Sequence, residues 1–153
     1  MVNTGKFLAV LALSAGMALA SPNFSGKWKM NPSASKFGAM PPPTSMIRNI
    51  THADPKLEIR TVQAGEKGEV KTELKFTTDG KVCVNTLSGS DVVSKLSWEG
   101  SVLVIDSKRT VQGTEVSIVD RYSLSGDGRT LTIAESIKSP TGGTDITISF
   151  DKQ

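Results

Sequence analysis

Through most of the chain apolar and polar residues alternate with a period of two, the spacing that sends neighbouring side chains to opposite faces of a strand. Between residues 69 and 77, Val70, Thr72, Leu74 and Phe76 share one face, while Lys71, Glu73, Lys75 and Thr77 share the other. Val92, Ser94, Leu96 and Trp98 repeat the pattern, as do Ile146, Ile148 and Phe150. Turn signals separate these runs, among them Asp79-Gly80, Ser88-Gly89, Glu99-Gly100, Gln112-Gly113 and Gly126-Asp127-Gly128. The spacing predicts about ten strands, over 24–30, 45–52, 56–63, 69–77, 82–87, 92–99, 102–111, 114–125, 130–138 and 144–150. No window of ten residues after position 20 reads as an amphipathic helix.

Hairpin-linked strands with one apolar face need either a second sheet or closure on themselves. An even number of up-and-down strands closes without a crossover and leaves no exposed edge. A single antiparallel up-and-down β-barrel is therefore expected, with a two-sheet β-sandwich as the alternative. The one irregular stretch is residues 31–44, where Pro41, Pro42 and Pro43 predict a stiff connector, with a short turn near Ser33 to Lys36 at its start.

Residues 1–20 interrupt the alternation and read as a signal peptide. A short basic n-region with Lys6 precedes an apolar run, and Ala18-Leu19-Ala20 is an A-x-A cleavage signal before Ser21. Export to the periplasm or the exterior follows, and no later apolar run predicts stable membrane insertion. Residues 21–153 are then one domain, expected to be a monomer. The formal charge of +3 includes Lys6, so the expected mature chain carries +2. Basic and acidic residues alternate without clustering, which excludes a nucleic-acid surface. Cys83 is the only cysteine, so no internal disulfide forms, and it reads as a small buried hydrophobe.

The opening Phe24-Ser25-Gly26-Lys27-Trp28 resembles the F-x-G-x-W start of the lipocalins and fatty-acid-binding proteins, the calycin-type β-barrels. The stretches Ser35-Lys36-Phe37, Leu96-Ser97-Trp98-Glu99-Gly100, Ser107-Lys108-Arg109 and Glu115-Val116-Ser117-Ile118 are similar to fatty-acid-binding proteins as well. The opening is also similar to that of small exported bacterial proteins with no established role. The resemblance implies that Gly26 lets the first strand bend and that Trp28 closes one barrel end. Two departures stand out: a proline-rich connector replaces the helix-turn-helix lid of fatty-acid-binding proteins, and no helix follows the last strand, as one does in lipocalins.

Little in the chain reads as catalytic. His52 is the only imidazole and falls in an expected exposed turn, with no nucleophile and orienting partner nearby. One His and one Cys do not make a zinc site, and no cofactor motif is present. More informative are charges on apolar faces. Asp120 lies among Val116, Ile118, Tyr122 and Leu124, and Glu135 shares a face with Leu131, Ile133 and Ile137. The parity of Leu103 and Ile105 sends Arg109 inward too, unless a bulge reverses it. Unpaired charges are too costly for a dry core. Arg109, Asp120, Tyr122 and Glu135 are therefore the expected ligand-binding cluster in a wet lumen, with an Arg109–Asp120 structural ion pair as the alternative.

These readings predict a non-enzymatic exported barrel that holds a small apolar or amphipathic molecule. The alternative is an exported module, an inhibitor or envelope factor, that contacts an unidentified protein and has a filled core. A ligand binder needs a cavity of several hundred Å3. With only eight aromatic residues in the chain, large fillers are scarce.

Overall fold

The computed structural model describes residues 20–153. The expected signal peptide, residues 1–20, thus lies outside the described residues apart from Ala20. The strands are β1 (Gly26–Met30), β2 (Ser45–Ala53), β3 (Lys56–Gly65), β4 (Gly68–Thr77) and β5 (Val82–Leu87). They continue with β6 (Ser90–Glu99), β7 (Val102–Val111), β8 (Thr114–Leu124), β9 (Thr130–Ser139) and β10 (Gly142–Lys152). Every expected strand is present, with its ends within two residues of where the alternation places them.

All ten pair antiparallel in one sheet, in the order β4-β3-β2-β1-β10-β9-β8-β7-β6-β5. The sheet curls into a nearly closed up-and-down barrel, so the sandwich alternative is excluded. Its seam lies between β4 and β5, which form no ladder. Asn85 stitches that seam as a surrogate strand: its carboxamide accepts from the Lys75 amide at 2.8 Å and donates to the Lys75 carbonyl at 3.0 Å. Further along, the Thr77 amide donates to the Cys83 thiol sulfur at 3.2 Å, and Cys83 is buried as expected.

Outward faces of β3 and β4 carry Arg60, Glu73, Lys75, Glu69 and Lys71, joined in pairs at 3.0–3.2 Å. Such exposed ladders add little stability but mark a water-facing surface, unlike the apolar belt of a membrane barrel. Among the described residues no helix is long and apolar enough to cross a membrane.

Inside, one end of the barrel is filled with rings. Phe24 and Trp28 are fully buried, and the Trp28 indole N–H donates to the Phe24 carbonyl at 2.9 Å. Phe24 stacks on His52 and Trp98, with centroids 5.8 and 6.0 Å away, and meets Tyr122 edge-on at 6.0 Å. His52 corrects the sequence reading: it lies on the inner face of β2, only 5% exposed. Its Nδ1 accepts the Phe24 amide at 3.3 Å, which places the ring proton on Nε2, 2.8 Å from Asp54 Oδ1. That carboxylate is held below its usual range by hydrogen bonds from Thr78 and then His52. Gly26 bends β1 with φ at +145°, and a Cβ there would come within 3.0 Å of Lys152 Cε. The glycine of the opening motif is thus explained by backbone freedom, since the nearest contact is the movable end of a lysine side chain.

The opposite end is crossed by the proline-rich connector. Asn31 caps a 3-10 turn, Pro32–Ala34, and its own amide donates to the Ser149 carbonyl at 2.8 Å. Lys36 and Thr147 then exchange both backbone hydrogen bonds, at 2.7 and 2.8 Å. Phe37 packs against the core from this strap.

Candidate functional site

Between the aromatic floor and the strap lies a cavity of about 190 Å3. Parity alone positions its walls. β7 runs in unbroken register against both neighbours, from Val92↔Arg109 to Glu99↔Val102 and from Leu103↔Tyr122 to Val111↔Thr114. With no bulge, Arg109 stays on the inner face with Leu103, Ile105 and Ser107. Arg109, Asp120, Tyr122 and Glu135 all line this one cavity. Its apolar walls include Ile59, Leu74, Val92, Ile105 and Ile118.

Sequence reasoning passed over Arg48, the other cation of the cavity. It sits on β2 between Met46 and Ile50, at the same inward parity. Its Nη1 donates to the Tyr122 hydroxyl at 2.6 Å, and its guanidinium lies 5.9 Å from the Tyr122 ring and 5.4 Å from that of Phe150. Thr61, Gln63, Thr72 and Ser107 complete the polar lining and continue the inward parity of β3, β4 and β7. The Ser107 hydroxyl bonds that of Ser94 at 2.8 Å.

Asp120 and Glu135 are direct cross-strand partners on β8 and β9. Burial, and after it the neighbouring Glu135 carboxylate, holds the Asp120 proton well above the usual carboxylate range, against a smaller opposing pull from Arg48. The two acids are close enough for protonated Asp120 to donate to Glu135. Burial also pushes the Tyr122 hydroxyl up.

The alternative Arg109–Asp120 ion pair does not form: no ion pair among the described residues includes either group. Instead, Arg48 Nε, Arg109 Nε and Asp120 Oδ1 are buried without a hydrogen-bond partner among the described residues. All three belong to residues that line the cavity, and the atoms themselves are shielded from it.

Under the strap lies a second, apolar space of about 160 Å3, lined by Phe37, Met40, Pro41, Pro43, Met46, Ile146 and Ile148. It shares Arg48, Gln63 and Glu135 with the first cavity. Neither space alone reaches the several hundred Å3 expected of the lumen.

No protein-family model matches the sequence, and no curated protein matches it. Solved structures do match in shape. A secretory abundant heat soluble protein of Ramazzottius varieornatus superposes with a TM-score of 0.62 at 12% identity, over 84% of this chain and 94% of that one. Zebrafish ileal bile acid-binding protein, complexed with cholic acid, gives 0.59 at 16% identity, over 85% and 98%. Human cRBP IV gives 0.56 at 12% identity, over 86% and 99%. The fold is a calycin-type barrel. In this calycin-type barrel a proline strap, hydrogen-bonded to β10, crosses the cavity end in place of a helical lid.

Proposed function

We propose that the protein is an exported, non-enzymatic barrel that binds a small apolar or amphipathic molecule in its interior. The observation that carries this reading is the 190 Å3 cavity, in which Arg48, Arg109, Asp120 and Glu135 converge among apolar walls. A site with converging polar groups among apolar walls is the usual form of a small-molecule pocket. The cavity supports binding over a protein-contact module with a filled core. The shared architecture with a bile acid-binding protein holding cholic acid supports it from outside the chain. Export rests on the signal pattern of residues 1–20.

Amide resonances of the uniformly 15N-labelled protein, followed while cholate and fatty acids of increasing length are added, test the reading. Saturable shifts centred on Arg48, Ser107, Arg109, Asp120 and Glu135 are expected. Arg109→Ala should then weaken binding of an anionic amphiphile about tenfold or more. Unchanged affinity removes Arg109 from the site. The reading fails if no amphiphile shifts those amides at millimolar concentration.

A further inference from the structure

The strap is tied down on both sides and bare in between. Its first half bonds to β10 through Asn31 and Lys36, and Gly38 continues close beside that strand. With φ at +58°, a Cβ on Gly38 would lie 3.2 Å from Thr144 Oγ1. On the far side the Thr44 amide and hydroxyl both donate to the Ala64 carbonyl, at 2.9 and 3.1 Å. Residues 39–43 make no backbone hydrogen bond to a strand. The Met40 amide donates to Phe37 within the strap at 3.0 Å, and the three prolines have no N–H to give. The crossing is therefore held by side chains: Met40, Pro41 and Pro43 border the same apolar space as Met46, Ile146 and Ile148.

Methionine is concentrated around this crossing. After position 20 the chain has only Met30, Met40 and Met46. Met30 and Met46 stand at opposing positions one step beyond the last β1–β2 pair, Lys29↔Ile47. Met40 shares the space beneath the strap with Met46 and a groove beside it with Met30. Their access to water differs widely: Met40 is 41% exposed, Met30 4% and Met46 5%.

We propose that Met40 is a site of oxidation by peroxides, and that its sulfoxide loosens the strap over the barrel end. The site needs no occupant in the lumen, so it stands or falls independently of the binding reading. A lone pair of the Met40 sulfur attacks one oxygen of hydrogen peroxide, and the S–O bond forms as the O–O bond breaks. The departing hydroxide takes the proton of the transferred hydroxyl and leaves as water. The thioether is oxidised by two electrons and the peroxide is reduced by two. The product is a polar group where a flexible apolar one stood. Against Phe37, Met46, Ile146 and Ile148 its oxygen finds no donor, and it is favoured only when turned to water. Turning out removes the one flexible side chain that packs the crossing. No backbone bond in 39–43 resists the change, so the prolines lift as a stiff unit between Gly38 and Thr44. Met46, shielded until then, becomes reachable.

That order of events is measurable. The folded protein is treated with hydrogen peroxide, and each methionine peptide is weighed over time. Met40 is expected to oxidise about tenfold or more faster than Met30 and Met46, with Met46 accelerating only after Met40 has been converted. Met40→Leu keeps an apolar side chain that peroxide does not oxidise, and its Met46 should stay slow throughout. Met40→Gln puts a polar side chain there from the start, and its Met46 should be fast without delay. Hydrogen exchange at the Thr44 amide should be about tenfold faster in the oxidised parent and in Met40→Gln, while Ile133 on β9 keeps its protection and reports a folded barrel. Any oxidation of Cys83 is read from its own peptide and is common to the parent and Met40→Leu. Three methionines oxidising at one rate would overturn the proposal. So would a Met40 sulfoxide that leaves Met46 and the Thr44 amide as protected as before.

Discussion

The two ends of the barrel solve opposite problems with the same alternating strands. At one end Phe24, Trp28, His52, Trp98 and Tyr122 interlock, and each polar ring atom of Trp28 and His52 has a partner. At the other, Arg48, Arg109, Asp120 and Glu135 surround a cavity, and three of their polar atoms have none. Of the seven aromatic residues after position 20, Phe76 and Tyr122 also line the cavity, and Phe37 lines the space under the strap. The two ends thus differ in packing: rings fill one, and the other keeps a cavity among charged and apolar side chains.

Truncating a residue at each end is the strongest way to break that comparison. Trp28→Ala should cost about 3–5 kcal/mol, because a fully buried ring and the hydrogen bond from its N–H to Phe24 both disappear. Arg109→Met, which replaces an unpartnered cation by an apolar chain of similar length, should change stability by less than about 1 kcal/mol or raise it. Urea unfolding of both variants checks this. Equal losses at the two ends would remove the contrast.

His52→Leu follows in size. Leucine leaves the Phe24 amide without its acceptor inside the ring cluster, at a cost of about 1–3 kcal/mol. The Asp54 carboxylate also loses its His52 partner and should titrate closer to its ordinary value. Unfolding midpoints and carboxyl carbon shifts measure the two effects. A neutral result would show that the histidine fills space and nothing more.

Much of this was legible before any coordinates, and for a physical reason. A period of two survives folding because strand geometry enforces it, so the ten strands and the inward parity of Arg109, Asp120, Tyr122 and Glu135 followed from the pattern. The same parity marks Arg48 between Met46 and Ile50, and that signal was passed over. His52 was misread as exposed because its burial depends on Phe24 and Trp98, brought to it from 28 positions before and 46 after. Cavity volume was not legible, since it is what remains after inner side chains from most of the strands have met. The strap was visible as prolines, but its crossing of the cavity end depends on pairing with Thr147 on the last strand.

Asp120→Asn sharpens the comparison through pH. In the folded barrel, burial and Glu135 keep the proton on Asp120 well above the usual carboxylate range. The unfolded chain releases that proton near pH 4, at about the ordinary value. Between that value and the raised one the folded state binds the extra proton, so stability falls as pH rises through the window and is level above it. Asparagine has no proton to lose and still offers N–H to Glu135. Its stability relative to the parent should therefore grow from acid toward neutral pH. Melting temperatures across pH 3–8 measure it. A difference independent of pH would place Asp120 in an ordinary ionised state and weaken the contrast between the two ends.

The smallest effect belongs to the seam, which runs past both ends and is closed differently at each. Toward the ring end the closure is a backbone N–H to the buried Cys83 sulfur; toward the cavity it is the Asn85 carboxamide, which satisfies both the N–H and the C=O of Lys75. Asn85→Ala removes two hydrogen bonds from an exposed site where water replaces them, so the expected global loss is only about 0.5–1 kcal/mol. The local consequence is larger, because β4 and β5 have no ladder to hold them once the carboxamide is gone. Hydrogen exchange at the Lys75 amide should speed up about tenfold or more in the variant, while Ile133 on β9 keeps its protection. Uniform acceleration at both amides would mean that the seam opens only when the whole barrel unfolds. Acceleration confined to Lys75 and its β4 neighbours would establish that the cavity end is held shut by one side chain and opens independently of the rings.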